Sequence, residues 1–575
     1  MPEYFLSIII FLPLVSVFFI LFLKRNSSII WLSTVTSGVT SLLSILLFLS
    51  FELDEPSFQF VHWIPDWIVS GKLSIDYMVG LDGVGLLLFS LTSFLFFLSS
   101  LTTWKNITKR IKEFHICLLI LEFAVLGIFS SLNLVLFYVF WELMVIPMAL
   151  MVGVWGGENR VRAAFKYLAF SMAGSLLMLA GILMLYFKTG TTSIEALSIF
   201  AGENFSYGAK TFVFLSFALA FSIKIPVFPL HTWMPDVHTE APTVGSVDLA
   251  GVLLKLGIFG FIRFLIPFFP SSSLEFREIF SILAVIGILW GAMSAMVQTD
   301  IKRIIAYSSL SHLGFTLLGL MSFTEAGVAG GMLQLISHGI STGMIFILIG
   351  MYYDRTGKRN LADLGGAAKS MPVFSVFFMI AILSSVGLPG TNGFVGEFLI
   401  LLGTMKSDFL LGAFAATGVV WAACYLLWVT KKLLFGANND SNRNVADIGF
   451  REYFILIPLV AVIFLIGIYP SYFLRILEPS VNVYLNSASI EKIEDRLNNG
   501  GQNTLDYRAL GGVPASYEQR IGQHRTGREL KVMEKIHRNF IPVPDNPAKT
   551  QDWDLEGLDP TKIEQFIDKK QGEVE

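Results

Sequence analysis

Apolar runs long enough to cross a bilayer recur through the first 476 residues and constrain the fold more than any other feature. A transmembrane helix needs about 20 consecutive apolar residues. The chain is 54% hydrophobic and 15% charged, which excludes an ordinary soluble or disordered protein. We therefore predict an all-α polytopic membrane protein with about 14 transmembrane helices. The predicted spans are 4–23, 29–51, 79–103, 114–130, 132–153, 165–187, 210–228, 244–268, 278–298, 303–322, 327–353, 371–402, 408–432 and 453–476.

Lysine and arginine concentrate in every second predicted loop. By count, the odd-numbered connections carry nineteen basic residues and the even-numbered connections five. Loops rich in these residues stay on the cytoplasmic side of a membrane. With an even number of helices, both termini are therefore predicted to face outward.

The stretch from Phe221 to Lys255 is predicted to lie within the membrane although its helical backbone is interrupted. Four prolines interrupt it, and proline ends a helix because it lacks the N–H and clashes with the preceding turn. Irregular backbone within a bilayer is tolerated only against protein or a water-filled cavity. The break therefore indicates a functional site, where four further polar side chains are interleaved: His231, Asp236, His238 and Glu240.

Glu142 and Lys224 are predicted to lie at mid-membrane, where an isolated charge costs several kcal/mol. Pairing favours the charged form of each residue, whereas desolvation favours the neutral form. A lysine held between these influences can load and release a proton when its counter-charge shifts. The alternative is a static salt bridge that clamps two helices.

Lys255 is predicted to lie deep in the eighth span. The alternatives are a proton-path role and a side chain that extends to the membrane surface. The run to Pro267 is interrupted only by Arg263, which favours the proton path. Asp248, two turns earlier, is a candidate near-surface partner.

Histidines mark two adjacent predicted helices. Ser308 and His312 share a face of the tenth, while Gln334, His338 and Ser341 form a polar stripe along the eleventh. A lone intramembrane histidine is often a core residue. Two with hydroxyls beside them fit a hydrated proton relay better, because imidazole titrates near neutral pH.

Glu397 lies in a second interrupted span, which is broken by Gly387, Pro389, Gly390 and Gly393. Broken helices at corresponding places, here the seventh and twelfth, indicate inverted repeats with sites at mid-membrane. A helix brace is the alternative role for Glu397. We divide the chain into three N-terminal helices (1–110), a first five-helix repeat (111–270), a second (271–435), a fourteenth helix (436–480) and a polar extension (481–575).

Several site types are not expected. Cys117 and Cys424 are too few for an iron–sulfur cluster, and no P-loop, dinucleotide fingerprint or zinc motif is present. Lys302 and Arg303 are predicted as positive-inside anchors or as a proton entrance, and Asp82 as a helix cap or interfacial residue. The extension is predicted to be a partly ordered tail or a segment that docks on a neighbouring subunit.

Three motifs carry a family resemblance: KIPVFPLHTWMPDVHTEAPTVGSVDLAGVLLK, TDIKRIIAYSSLSHLGF and GLPGTNGFVGEFLIL. Over roughly residues 1–480 the chain resembles the antiporter-like proton-pumping subunits of respiratory complex I, which are related to Mrp-type Na⁺/H⁺ antiporter subunits. With Glu397 on the second broken helix, the chain resembles the M-type branch of this family, because the L- and N-type branches carry lysine at that position. The polar extension departs from the M-type pattern.

The resemblance implies a role for each matched residue. Glu142 would modulate Lys224, the protonatable centre of the first half; Lys255, His312 and His338 would link the halves, and Glu397 would release the proton outward. It also implies a translocase subunit in a bacterial inner membrane, beside L- and N-type neighbours and without nucleic acid. NADH, FMN, iron–sulfur clusters and quinone would be bound by other subunits, and this chain would hold no cofactor or metal. An Mrp-type antiporter subunit and a structural membrane subunit are the alternatives.

Overall fold

The computed structural model describes residues 2–53, 55–70, 73–200, 205–436 and 445–487. The C-terminal extension, including its predicted amphipathic pieces at 489–497 and 528–540, lies outside the described residues from 488 onward.

Helices make up most of the described chain. The first eight are α1 (Phe5–Phe22), α2 (Asn26–Leu49), α3 (Gly83–Asn106), α4 (Ile111–Ser130), α5 (Leu134–Trp155), α6 (Arg160–Thr189), α7 (Ile194–Phe200) and α8 (Tyr207–Lys224). A 3₁₀ turn (Leu230–Thr232) and short helices follow: α9 (Trp233–Glu240), α10 (Thr243–Asp248), α11 (Lys255–Gly260), α12 (Ile266–Phe268) and α13 (Pro270–Glu275), with π-helical segments at Leu249–Leu253 and Phe261–Leu265. The rest are α14 (Arg277–Met296), α15 (Ile301–Met321), α16 (Glu325–Thr356), α17 (Ala367–Ser370), α18 (Pro372–Val386), α19 (Asn392–Ser407), α20 (Phe409–Phe435), α21 (Phe450–Ile468) and α22 (Pro470–Ser487).

Twelve of the described helices are long and apolar enough to cross a membrane, when the segments from Thr243 to Phe268 are counted as one. The predicted polytopic, mostly helical membrane protein is thereby confirmed. The other two predicted spans correspond to α8 and to the pair α18 and α19, so the count of fourteen stays a prediction. The last predicted span, 453–476, is divided between α21 and α22, because Pro470 begins a new helix.

Both predicted helix breaks are present. The first lies between α8 and the 3₁₀ turn, where the carbonyl of Ile223 accepts a hydrogen bond from Trp233 Nε1 at 3.0 Å. The second lies between α18 and α19, where Gly387 and Gly390 have φ angles of +85° and +89°. Glycine adopts this left-handed conformation without steric cost, so it can end a helix abruptly. The division into two inverted repeats stays a prediction.

A β-hairpin corrects the expectation of an all-α chain. Strands β1 (Gln59–Ser70) and β2 (Leu73–Leu81) pair antiparallel ahead of α3. The hairpin is anchored to α1, because Ser7 Oγ lies 2.7 Å from His62 Nδ1 and 2.8 Å from the Tyr77 hydroxyl. The segment is rich in β-branched and aromatic residues, which favour strands, but a search for apolar runs of helical length passes over it.

The central helices are the most enclosed. Within α16 and the segment Thr243–Phe268, the most apolar 18-residue window is fully buried, whereas in α20 and α21 a third of that window is buried. Lipid-facing helices keep apolar side chains exposed, so low burial with high hydropathy marks the periphery. The buried helices are also those that carry Lys255 and His338.

Candidate proton pathway

Lys224 is the last residue of α8 and lies directly at the first helix break. Its side chain is 2% exposed, and Nζ donates a hydrogen bond to the Tyr167 hydroxyl at 3.1 Å. The same ammonium lies 5.0 Å from the Tyr167 ring centroid and 5.8 Å from that of Trp141. Aromatic faces stabilise a cation without an opposite formal charge, so this site can hold the lysine ammonium without an ion pair.

Glu142 is half-buried on α5 and does not form the predicted ion pair. Within the described chain no ion pair joins it to Lys224, although the two interact electrostatically, and Oε1 has no hydrogen-bond partner. Tyr138, one turn earlier, contacts the carboxyl group. The static salt-bridge alternative is therefore wrong for this conformation, because the lysine is turned to Tyr167 instead.

Lys255 is fully buried, which excludes extension to the membrane surface. Its Nζ lies 2.7 Å from His338 Nδ1 and also donates to the Ala250 carbonyl. The π-helical segment precedes Lys255, and such wide turns are frequent at functional sites. Asp248 does not pair with Lys255 and is not near the surface: it is fully buried and accepts a hydrogen bond from Ser99 at 2.6 Å.

The two predicted histidines and Glu397 form one continuous contact. The ring centroids of His338 and His312 are 5.7 Å apart, and His312 Nδ1 lies 2.6 Å from Glu397 Oε1. Gln334 Nε2 donates to the same oxygen at 3.0 Å. All four side chains are at most 5% exposed. Lys255, His338, His312 and Glu397 thus form a line of titratable groups across the interfaces of α11, α16, α15 and α19, in which the two histidines are joined by a ring contact and not by a hydrogen bond.

The remaining polar residues of the stripe have separate partners. Ser308 bonds the Tyr425 hydroxyl at 2.6 Å, and Ser341 lies 2.7 Å from Ser384 and 3.2 Å from Asn392. Ser341 therefore joins α16 to α18 and α19 rather than to the histidines.

No described polar contact joins the Lys224 cluster to the Lys255 line. The backbone of α8 packs closely against Gly257, two residues after Lys255, where an added Cβ would overlap Phe221 O and Ile225 N. The six predicted residues thus fall into two groups: Glu142 with Lys224, and Lys255, His338, His312 and Glu397.

The residues predicted as positive-inside anchors, as a proton entrance or as a helix cap lie in different surroundings. Lys302 is buried and donates to the Ala241 carbonyl at 2.8 Å, so it is not a surface anchor. Arg303 pairs with Asp236 at 3.0 Å, as does Lys166 at 2.7 Å. Asp82 accepts from Gly85 N at 2.8 Å as the N-cap of α3, as predicted.

The chain is similar to known proteins over most of its length. Residues 131–422 match the family described as NADH:quinone oxidoreductase/Mrp antiporter, TM. The NADH-quinone oxidoreductase subunit M of Rickettsia bellii is 39% identical over 484 residues, which are 83% of this chain and 97% of that protein. The subunit M of Rhodobacter capsulatus is 38% identical and covered to 95%.

The chain belongs to the subunit M family of NADH-quinone oxidoreductase. A solved structure agrees: a chain of respiratory complex I from Thermus thermophilus matches with a TM-score of 0.77 and 33% identity, over 84% of this chain and all of that one. The Mrp complex of a Dietzia species matches with a TM-score of 0.74 at 19% identity, which shows a shared fold alone. The predicted family and function, a membrane-arm subunit of complex I, are therefore confirmed over the Mrp alternative.

This subunit M family member also contains site residues that the sequence interpretation did not single out. Tyr167 and Tyr425 are fully buried beside Lys224 and Ser308. Glu122 is fully buried on α4, and as the only acidic or basic residue besides His115 in the predicted span 114–130 it is a signal equivalent to that of Glu142. The tyrosines give no such signal, because aromatic residues are common throughout membrane helices.

Proposed function

We propose that this chain translocates protons across the membrane as the M-type subunit of a proton-pumping NADH:quinone oxidoreductase. The carrying observation is the buried line of Lys255, His338, His312 and Glu397, in which each group lies within contact of the next. Buried ionisable residues in membrane proteins face pathways or partners rather than lipid. The function as a translocase subunit follows from this line together with the family.

Each group has a proposed role. Lys224, poised between Tyr167 and the negative charge of Glu142, loads a proton in the first half of the chain. Lys255 passes a proton to His338, which hands it through His312 to Glu397. Imidazole can accept on one nitrogen and donate from the other, so two adjacent histidines suit a relay.

The energy source and the neighbours are part of the same proposal. Quinone reduction in other subunits would drive the cycle, and those subunits would hold NADH, FMN, the iron–sulfur clusters and quinone. L- and N-type subunits would flank this chain in a bacterial inner membrane, with both termini outside. The two broken helices, α8 with the turn after it and α18 with α19, would occupy equivalent places in two inverted repeats of five helices.

The test is proton pumping by the assembled enzyme reconstituted in vesicles. We expect Lys224→Ala and Glu142→Gln to assemble normally and to show weakened proton pumping and slower NADH:quinone turnover, because the loading site loses its titration or its counter-charge. Lys188→Ala, at an exposed position of α6, is the matched lysine control.

A structural membrane subunit predicts the opposite pattern. In that case Lys224→Ala would lower the amount of assembled enzyme but leave proton-to-electron stoichiometry and turnover per assembled complex unchanged. Normal stoichiometry and turnover for both Lys224→Ala and Glu142→Gln would contradict the proposed function.

A further inference from the structure

Two buried carboxylates lie outside the pathway described above. Glu122 on α4 and Asp248 at the end of α10 are both fully buried. Ser37 of α2 donates to Glu122 Oε2 at 2.6 Å, and Ser99 of α3 donates to Asp248 Oδ1 at 2.6 Å. Helices α2, α4 and α10 all pack against α3, and the two carboxylates buried among these four helices are called the acidic cluster.

The second oxygen of each carboxylate is unsatisfied. Glu122 Oε1 and Asp248 Oδ2 have no hydrogen-bond partner, and no lysine, arginine or histidine of the described chain forms an ion pair with either group. A buried carboxylate cannot ionise cheaply in a site without a cation, so a proton is the simplest stabilising ligand for each of the two groups. The free oxygens are the atoms to which it would bind.

Further unpartnered polar atoms surround this pair. Ser33 Oγ and Thr40 Oγ1 lie on the same face of α2 as Ser37, spaced four and three residues from it, and neither has a hydrogen-bond partner. Both residues are fully buried. Buried hydroxyl groups without protein partners are the groups that ordered water satisfies, which suits a hydrated path rather than dry packing.

Polar residues also continue from the acidic cluster toward the basic loop between α3 and α4. His115, near the start of α4, is fully buried and lies 3.5 Å from the Thr103 hydroxyl in the last turn of α3. Thr103 is one turn from Ser99, and His115 is two turns from Glu122 on the same face. His115 Nδ1 is free of a partner. Titratable groups thus lead inward from the loop between α3 and α4.

At its inner end the cluster approaches Lys255. The lysine side chain folds back along its own helix to donate to the Ala250 carbonyl, two residues after Asp248. The π-helical segment between Asp248 and Lys255 turns their side chains to different neighbours, α3 for the carboxylate and α16 for the lysine. Asp248 and Lys255 therefore lie seven residues apart on one buried segment, and Lys255 in turn contacts His338.

We propose that Glu122 and Asp248 form a second proton-binding site that takes protons from the basic-loop face through His115 and delivers them to Lys255. The inference rests on the proposed translocation function and assigns an uptake branch to it. In each step one proton leaves a nitrogen or oxygen base and binds the next: imidazolium to carboxylate, then carboxylic acid to the neutral amine of Lys255. No other reactant is needed.

The test uses the assembled enzyme in vesicles with Glu122→Gln and Asp248→Asn, alone and together. Both amides keep the size and the hydrogen bond to serine but cannot carry the proton. Because a positioned acid–base group accelerates proton transfer by ~100-fold or more, we expect the rate of proton uptake per assembled enzyme to fall by about 100-fold. Infrared difference spectra during turnover should lose a carboxylic-acid C=O band in each variant, which a purely structural role would not produce.

Ser16→Ala is the matched control, since it removes a buried 2.6 Å bond between α1 and α2 without touching a carboxylate. Should the amides reduce assembly, Ser37→Ala and Ser99→Ala remove only the hydroxyl donors, and each should shift the same infrared band. Normal uptake with an unchanged spectrum in Glu122→Gln and Asp248→Asn overturns the second site. If Lys224→Ala lowers pumping in the same assay, the proposed function stands although this inference fails.

Discussion

At the scale of single residues, buried charges in this chain have different surroundings that indicate different roles. The Lys255 line and the Glu122 cluster contain unpartnered oxygens and nitrogens, whereas Asp82 is fully engaged. Asp82 caps α3, pairs with Arg263 and accepts from Ser480 at 3.0 Å. Arg263 in turn lies over the rings of Phe58 and Phe259. A group with every site occupied is suited to structure rather than to proton transfer.

We expect Asp82→Ala to destabilise the protein strongly. Removing one partner of a buried ion pair costs about 3–5 kcal/mol, because the remaining charge stays buried and unpaired. Asp82→Asn should cost less, since the amide oxygen still accepts from the α3 N-terminus and from Arg263. The measurement is the free energy of unfolding in mixed micelles, together with the amount of assembled enzyme.

Asp408→Ala is the control for the cap alone. Asp408 accepts from Leu411 N at 3.0 Å as the N-cap of α20 and forms no ion pair within the described chain. Its loss should cost about 1 kcal/mol, the usual value for a cap. Equal losses for the two alanine variants would show that the Arg263 pair contributes nothing.

Which side chains are buried at the site could be predicted from the sequence, but their pairing could not. Mid-span positions of Lys255, His312, His338 and Glu397 follow from hydropathy alone. The sequence predicts that Glu142 and Lys224 pair, because each offers the opposite charge to the other at mid-membrane. Tyr167 is the actual partner of Lys224, and this preference depends on how α5, α6 and α8 are arranged around the break.

At the scale of elements, the broken helices depend on close backbone packing as well as on proline and glycine conformations. Gly393 is the second residue of α19, and a Cβ there would overlap the Ser384 carbonyl of α18. The two halves of the interrupted span therefore approach at a distance that only glycine allows. Glu397 is one turn further along the same helix, so its position depends on this contact.

We expect Gly393→Ala to displace α19 from α18 and to lower both stability and proton pumping. Overpacking of a buried contact costs about 1–3 kcal/mol, and the shift would move Glu397 away from His312. The measurements are the thermal unfolding midpoint in detergent and pumping per assembled enzyme.

Gly287→Ala is the matched control on α14, where nothing lies within 4 Å of an added Cβ. Alanine is a better helix former than glycine by about 1 kcal/mol, so this variant should be neutral or slightly more stable. A Gly393→Ala enzyme as stable and active as the Gly287→Ala enzyme would exclude the packing requirement.

At the scale of the whole molecule, the asymmetry of basic loops assigns an orientation. The loop between α3 and α4 belongs to the basic set, and the hairpin before α3 to the other set. The positive-inside rule therefore predicts that the hairpin lies outside and the loop that adjoins His115 lies inside. This orientation also makes the proposed uptake branch open toward the cytoplasm.

Single-cysteine labelling tests the orientation. In a Cys117→Ala, Cys424→Ala background, Val69→Cys in the hairpin should react with an impermeant maleimide in intact cells. Lys109→Cys should react only in inside-out vesicles. Both positions are exposed to solvent or membrane surface. Reaction of Lys109→Cys in intact cells would reverse the orientation and with it the direction of proton uptake.

The sequence by itself determined the membrane class, the positions of the long helices, the two breaks and most of the charged residues at mid-span, although not Glu122. These properties follow from local composition, because each apolar run must satisfy its own backbone within lipid. Only the tertiary structure decided that Lys224 binds Tyr167, that Lys255 and Glu397 meet through two histidines, and that Glu122 and Asp248 are buried against serines of α2 and α3. Such contacts join residues far apart in the chain, so they depend on helix packing and on the turn of each helix, which periodicity leaves open.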